Sequence, residues 1–209
     1  MLALSLQACT PPAPSSPGQA RPIFNGKDLE GWKGLFGNPI SRAAMTPAER
    51  AEAQAAADVR MREHWTVVDG VLVFDGGGDS LVTVDEYENF ELEVDWKIKP
   101  EGDSGIYLRG SPQVQIWDNP IGSGGLYNNQ QNPSKPLVVA DNPVGEWNTF
   151  RIRMIGERVS VWLNGQLVVD DVVLENYWDR SQPIFPRGPI ELQNHGNTLY
   201  FRDISVREL

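Results

Sequence analysis

Apolar and polar residues alternate along short stretches of the chain, most regularly from residue 90 to residue 98. There, Phe90, Leu92, Val94, Trp96 and Ile98 alternate with charged residues, as in a strand with one buried face. Shorter stretches of the same kind lie at 64–74, 105–109, 113–117, 149–155, 159–169, 189–193 and 198–206. Asp69-Gly70 and Asn164-Gly165 are typical of tight hairpin turns. The pattern predicts an all-β sandwich of short strands.

One segment has a helical pattern instead. Thr46 is followed by Pro47 and, three residues after the threonine, by Glu49, which is the pattern of a capping box with proline in the first turn. The next residues are rich in Ala, Glu and Arg and contain no glycine. We therefore predict one short inserted helix at about 46–63. Because it has few large apolar residues, we expect it to lie over the sandwich as a wall or lid.

Composition excludes several classes of protein. The 209 residues carry 18 Lys+Arg against 28 Asp+Glu, a net charge of −10, and 40% are hydrophobic. An acidic chain lacks the basic surface that binds nucleic acid, and no stretch is apolar for the ~18 residues that a membrane span needs. The length suits one domain with its own core, which we place at 22–209.

The N-terminal segment resembles a truncated signal peptide. Residues 1–9 form an apolar run that ends in Leu6-Gln7-Ala8-Cys9, similar to the site at which bacterial lipoproteins are lipidated on cysteine. Residues 10–21 are rich in Pro and Ser and predict an extended tether. The sequence thus predicts a periplasmic or cell-envelope protein that contacts membrane only through a lipid on Cys9. The alternative is a leftover leader with an inert thiol.

The outward positions of three predicted strands carry an unusual set of side chains. They combine amides, aromatics, an arginine and an imidazole, which can bind vicinal hydroxyls and stack on sugar rings. The set comprises Tyr107, Arg109, Gln113, Gln115, Trp117, Asp118, Glu191, Gln193 and His195. The pattern favours a carbohydrate-binding face, the alternative being that these residues only decorate an exposed sheet.

Two other patterns bear on catalysis. His195 lies where a predicted strand runs into a turn and could act as acid or base, whereas His64, at the end of the helix, is more typical of a structural residue. Glu91, Glu93 and Asp95 share one strand face, so a conventional glycosidase using Glu93 with Asp95 or Asp118 is an alternative.

Several motifs together resemble one bacterial family. They are the stretches 23–32 (IFNGKDLEGW), 90–98 (FELEVDWKI), 103–110 (DSGIYLRG), 113–118 (QVQIWD), 145–148 (GEWN), 163–165 (LNG), 190–196 (IELQNHG) and 201–204 (FRDI). Their order and spacing resemble the 3-keto-disaccharide hydrolase domain family over about residues 22–208. The insertion at 41–63 resembles a longer subgroup of that family.

The resemblance implies a concanavalin-A-like jelly-roll sandwich and an enzyme that cleaves glycosides oxidised at C3. It implies His195 or Asp118 as the base, with Arg109 and Gln115 polarising the ketone. Glu93, Tyr107 and Trp117 would shape the sugar pocket, and Gln193 lies in the same motifs. A divalent cation, Ca²⁺ or Mn²⁺, would suit an enolate, although the sequence shows no dedicated ligand set. A non-catalytic carbohydrate-binding module of the same fold is the alternative function.

Overall fold

The computed structural model describes residues 18–209, which form two packed β-sheets and two helices. The strands are β1 (Arg21–Pro22), β2 (Trp32–Gly34), β3 (Trp65–Val68), β4 (Val71–Phe74), β5 (Leu81–Thr83), β6 (Phe90–Ile98), β7 (Asp103–Leu108), β8 (Ser111–Trp117), β9 (Asn148–Ile155), β10 (Arg158–Leu163), β11 (Gln166–Val173), β12 (Ile190–Leu192) and β13 (Leu199–Glu208). The helices are α1 (Pro39–Ala44) and α2 (Pro47–His64). Cys9 and its predicted lipid lie outside the described residues.

The strands form two antiparallel sheets. The order in the eight-stranded sheet is β11-β10-β9-β6-β13-β4-β3, with β1 also paired to β13, and the five-stranded sheet runs β2-β5-β12-β7-β8. Apolar side chains from both sheets fill the space between them, and Trp96 packs on Phe150 with ring centroids 5.3 Å apart. The predicted all-β sandwich, the architecture expected of the jelly-roll fold, is confirmed.

Local sequence explains the hairpins and the long central strand. Along β6, the apolar residues are buried while the charged residues between them are partly or fully exposed. At both predicted hairpin turns the two central residues have positive φ: 51° and 79° at Asp69-Gly70, and 50° and 81° at Asn164-Gly165. Paired positive φ angles are those of the turn that matches strand twist. Both hairpins are therefore confirmed.

The predicted helix is present as α2, and a second short helix, α1, precedes it. Thr46 caps α2 and forms the expected capping box with Glu49. Only Ala57 and Met61 of α2 are buried, so the helix lies over the sandwich as predicted. No helix within residues 18–209 has the length and hydrophobicity needed to cross a membrane.

Helix α2 is fixed to the edge of the five-stranded sheet at Gly34. The Gly34 amide donates to Asp58 Oδ1 at 3.0 Å, and Gln54 Nε2 donates to the Gly34 carbonyl at 2.8 Å. These side chains satisfy backbone groups of edge strand β2 that would otherwise be unpaired. The helix pair therefore forms a wall beside the outer face of this sheet.

Candidate active site

The outer face of the five-stranded sheet carries a three-by-three array of positions from strands β7 and β8 and from residues 191–195, the end of β12 and its extension. Strand pairing sets Glu191 beside Tyr107 and Gly105 beside Gln115, and it sets Asp103 beside Trp117. We call this array the polar face. It comprises Glu191, Tyr107, Gln113, Gln193, Gly105, Gln115, His195, Asp103 and Trp117. Adjacent outward positions on a strand are about 6.6 Å apart, so the face could accommodate a sugar ring.

At one corner of the polar face, an imidazole lies near a carboxylate. His195 Nδ1 lies 3.8 Å from Asp103 Oδ2, and the His195 side chain is 55% exposed. Gln115 Nε2 donates to Asp103 Oδ1 at 2.8 Å, and the Asn197 side chain accepts from the Asp103 amide at 3.2 Å. The carboxylate is thus held in place while the imidazole faces solvent, and at 3.8 Å the two are close enough to attract each other once His195 is protonated but do not form a direct hydrogen bond.

A second pair of side chains lies beside this corner. Gln193 Nε2 donates to the Tyr107 hydroxyl at 3.1 Å, which leaves the Tyr107 proton available to another acceptor. Burial raises the pKa of Tyr107, and the nearby Glu191 carboxyl adds to the shift, so the phenol remains a neutral donor. Gln193 Oε1 is buried without a hydrogen-bond partner, and a substrate hydroxyl could satisfy it.

Gly105 at the centre of the array leaves room for a neighbouring amide. The Gln113 side chain lies over it, and a Cβ at Gly105 would come within 2.9 Å of Gln113 Cδ. Gln113 in turn donates through Nε2 to Gln115 Oε1. The amides thereby form a chain of hydrogen bonds from Gln113 through Gln115 to Asp103.

Trp117 supplies an aromatic corner. Its ring meets Tyr127 edge to face with centroids 5.2 Å apart, and its indole nitrogen donates to the Gly122 carbonyl at 2.7 Å. The two rings border a small cavity of about 80 Å³ that also contacts Gln115. Aromatic rings fixed in this way can stack on the apolar face of a sugar.

Comparison with known proteins identifies the family. The model of the 3-keto-alpha-glucoside-1,2-lyase-like domain matches residues 19–207. The chain belongs to this family. A Bacteroides thetaiotaomicron protein named 3-keto-disaccharide hydrolase is 26% identical, over 90% of this chain and 77% of that protein. The family membership inferred from the sequence motifs is confirmed.

Two crystal structures of candidate glycosyl hydrolases from Parabacteroides distasonis have an architecture similar to that of this chain, each at 25% identity. One has a TM-score of 0.66 and covers 91% of this chain and 94% of its own. The other has a TM-score of 0.68 and covers 98% and 95%. The similarity extends along nearly the whole length of each chain.

The structure brings together five of the side chains predicted for the family's site. Tyr107, Gln115, Trp117, Gln193 and His195 all lie on the polar face. Gln115, however, is only 2% exposed, and its amide is within hydrogen-bond distance of Asp103 and two backbone carbonyls. It therefore positions Asp103, and its predicted role in polarising the ketone stays a prediction.

Glu93 does not belong with these residues. It lies on β6 opposite Arg151 of β9, on the outer face of the eight-stranded sheet and so on the other side of the sandwich. Its neighbours on that face form ion pairs. Glu91 pairs with Arg151 and Arg207, and Asp95 pairs with Arg202. The acidic stripe is balanced by arginines of the adjacent strands, which weakens its interpretation as a pair of glycosidase carboxylates.

Asp118 and Arg109 are also displaced from the predicted centre. Asp118 Oδ2 accepts from the Glu101 amide at 2.9 Å, and Asp118 lines a cavity of about 310 Å³ that adjoins the polar face at Trp117. Arg109 has a φ of 54° and lies in the turn after β7, about 20 Å along the strand from Asp103. Arg109 is therefore too far from Asp103 to share one sugar ring with the His195 corner, whereas the role predicted for Asp118 stays a prediction.

Two residues of the site were missed by the sequence interpretation. Asp103 was missed because the strand was predicted to begin at residue 105, two residues too late; extending the alternation would have placed Asp103 on the same face as Tyr107. Glu191 was recognised as outward-facing but given no role. It is 4% exposed, and burial raises the pKa of its carboxyl to about 7, opposed by the Ser80 hydroxyl and the charge of Arg42.

Glu191→Gln is expected to stabilise the fold above neutral pH. The unfolded carboxyl ionises near its ordinary value of 4.5, but the folded one ionises near 7, so the folded state binds more protons between these values and loses stability as the pH rises. Glutamine removes that loss, which amounts to about 3 kcal/mol. Urea unfolding at pH 8 and at pH 4.5 tests this. A gain confined to pH 8 is expected, and equal effects at both pH values would contradict it; the exposed Glu93→Gln is the control.

The donor set for a divalent cation is incomplete. Within residues 18–209, no cluster of three or more His, Cys, Asp or Glu side chains could hold a metal ion. The candidate site offers His195 and Asp103 as two ligands, with the Gln115 amide already donating to Asp103. These residues do not form a cage for Ca²⁺ or Mn²⁺, so no step of the proposed reaction passes through a cation.

Proposed function

We propose that this member of the family cleaves 3-keto glycosides by elimination on the polar face. The observation that carries the proposal is the contact between exposed His195 and the anchored Asp103 carboxylate, 3.8 Å apart. They lie beside the hydrogen-bond donors Gln193 and Tyr107. The name of the family and that of the Bacteroides thetaiotaomicron relative support the same class of substrate.

The reaction needs one protein base that acts at C2 of the sugar and one hydrogen-bond donor that acts at the oxygen on the adjacent carbon, C3. A ketone at C3 acidifies the proton at C2, so a base of modest strength can remove it. The C2–H electrons form the C2=C3 enolate, which collapses back to the ketone and expels the C1 oxygen. The leaving alcohol takes up a proton, and the sugar becomes a C1=C2 enone. Addition of water, with OH at C1 and H at C2, then gives the free 3-keto sugar.

The polar face has side chains for each of these tasks. His195 removes the C2 proton, and the imidazolium that forms is stabilised by Asp103 and can protonate the leaving oxygen. Gln193 occupies the adjacent outward position, about 6.6 Å along the strand, and with Tyr107 it can donate to the oxygen at C3. Trp117 and Tyr127 provide the stacking surface. No pair of carboxylates is required, because no oxocarbenium ion forms.

A comparison of oxidised and unoxidised substrates tests the proposal. The purified protein is offered 3-keto-trehalose beside trehalose, and released monosaccharide is measured. Cleavage of the keto sugar alone is expected. Cleavage of plain trehalose would instead identify a conventional glycosidase, and binding of either sugar without cleavage would identify a carbohydrate-binding module. Either of these results would overturn the proposal.

A further inference from the structure

A cationic cleft lies between the helical insertion and the five-stranded sheet. Two adjoining cavities of about 450 and 330 Å³ share Arg42, Arg50, Glu86 and Pro189 in their lining. Lys33 lines the first cavity, and Arg109 and Arg187 line the second. Five cationic side chains thus face a cleft with one lining carboxylate, in a chain whose net charge is −10. We call this region the arginine cleft.

The arginines of this cleft are those that the rest of the protein does not neutralise. Among residues 18–209, seven arginines form ion pairs: Arg21, Arg60, Arg151, Arg158, Arg180, Arg202 and Arg207. The arginines outside these pairs are Arg42, Arg50, Arg62, Arg109, Arg153 and Arg187. Four of those six line the arginine cleft, so the unpaired positive charge is concentrated at one place.

The hydrogen bonds of Arg42 and Arg50 go to neutral groups, and burial lowers the pKa of Arg42 although the nearby carboxyls of Glu191 and Glu86 oppose that shift. Arg42 Nη1 donates to the Phe36 and Gly37 carbonyls at 3.0 and 3.1 Å, and Arg50 donates to backbone carbonyls of the turn before α2. These acceptors are neutral. The backbone thus positions these guanidinium groups, and within residues 18–209 neither forms a direct ion pair, as in sites that bind an anion.

Arg109 is the strongest sign of a binding site. Its side chain is 3% exposed, and its Nε is buried without a hydrogen-bond partner. Nη1 donates to the Phe185 carbonyl at 3.3 Å, and burial lowers the pKa of the guanidinium. An unpaired buried donor is unfavourable by about 1–3 kcal/mol unless a partner is supplied. An oxyanion in the cleft could supply one.

We propose that the arginine cleft binds a carboxylate or sulfate ester carried by the saccharide on the polar face. Pro189 at the cleft and Gln193 on the polar face are four residues apart on one extended segment, about 13 Å, so one oligosaccharide could reach both. Guanidinium groups bind both kinds of anion through paired hydrogen bonds. The saccharide part of this inference rests on the proposed function; the anion part does not.

Calorimetry at low ionic strength tests the cleft with unoxidised sugars, so its outcome is independent of the cleavage assay. The probes are glucuronate, glucose 6-sulfate, inorganic sulfate and glucose. At least one charged sugar is expected to bind at least ten-fold more tightly than glucose. Its affinity should fall as salt is added. Equal binding of charged and neutral sugars would overturn the inference. Inorganic sulfate binding as tightly as the sugars would overturn its saccharide part.

Variants locate the binding. The double variant Arg50→Gln/Arg187→Gln is expected to lower the affinity for the charged sugar at least ten-fold. Arg187→Gln alone is expected to lower it at least three-fold. The single variant keeps the test valid if the double variant does not fold, because Arg187 is exposed. The matched control, Arg62→Gln with Arg153→Gln, removes two unpaired arginines elsewhere and should leave affinity unchanged. An equal loss in the control would overturn the assignment to this cleft.

Discussion

His195→Ala is expected to lower kcat for 3-keto-trehalose by about 10²–10⁴-fold, the usual contribution of a positioned base, while the protein remains folded. The imidazole is 55% exposed and its one charged neighbour is Asp103 at 3.8 Å, so its removal deletes few contacts within the protein. The loss should appear in kcat rather than in stability. Initial rates and thermal unfolding of the same preparation measure the two effects separately.

The other histidine provides a matched control. His64 Nδ1 lies 3.1 Å from Asp75 and its ring packs on Gly77 and Gly78; because it is not one of the residues of the polar face, His64→Gln should retain kcat. Asp103→Asn should also lower kcat, because it removes the carboxylate that stabilises the imidazolium. Near-normal turnover in His195→Ala, or an equal loss in His64→Gln, would contradict the assignment of the base.

Gly34→Val is expected to destabilise the fold by about 2–4 kcal/mol and to release the helical insertion. A Cβ at this position would meet the Ala57 backbone, with the Ala57 carbonyl carbon 2.6 Å away. That atom belongs to helix α2 and cannot move without the helix. The substitution should therefore disrupt the hydrogen bonds that the Gly34 backbone forms with the side chains of Asp58 and Gln54 and open the wall of the arginine cleft.

Urea unfolding and the helical circular dichroism signal measure this effect. A lower midpoint, with part of the helical signal lost before the sheet unfolds, is expected. Ala56→Val is the control, since it places the same side chain at an exposed position of α2 and should only lower helix propensity by about 0.5 kcal/mol. Equal midpoints for the two variants would show that α2 does not depend on close approach at Gly34.

The fold was largely predictable because its signals are local. Period-two alternation defined β6, paired turn residues defined the hairpins, and a capping box at Thr46 defined the start of α2. Short strands were missed where alternation is too brief to recognise, as in β2 and β5, three residues each. The short helix α1 was missed too, because its capping residue Asn38 precedes only six helical residues.

The site was less predictable because it depends on which strands become neighbours. Alternation showed that Glu93 and Tyr107 both face outward, but not that they lie on opposite sheets. Arg109 was assigned to the strand face because the chain turns there through a positive φ, which alternation does not detect. The role of Glu191 depends on its burial near Arg42, a contact between distant parts of the sequence.

Cleavage by elimination is tested most directly by following the hydrogen at C2 of the 3-keto sugar that is released from 3-keto-trehalose in D₂O. Elimination followed by addition of water must place deuterium at C2 with each turnover, whereas direct displacement at C1 leaves that hydrogen in place. Early time points are read by NMR, and exchange in the presence of His195→Ala corrects for spontaneous enolisation. One deuterium at C2 per cleavage is expected; 3-keto sugar that retains its C2 hydrogen would contradict cleavage by elimination.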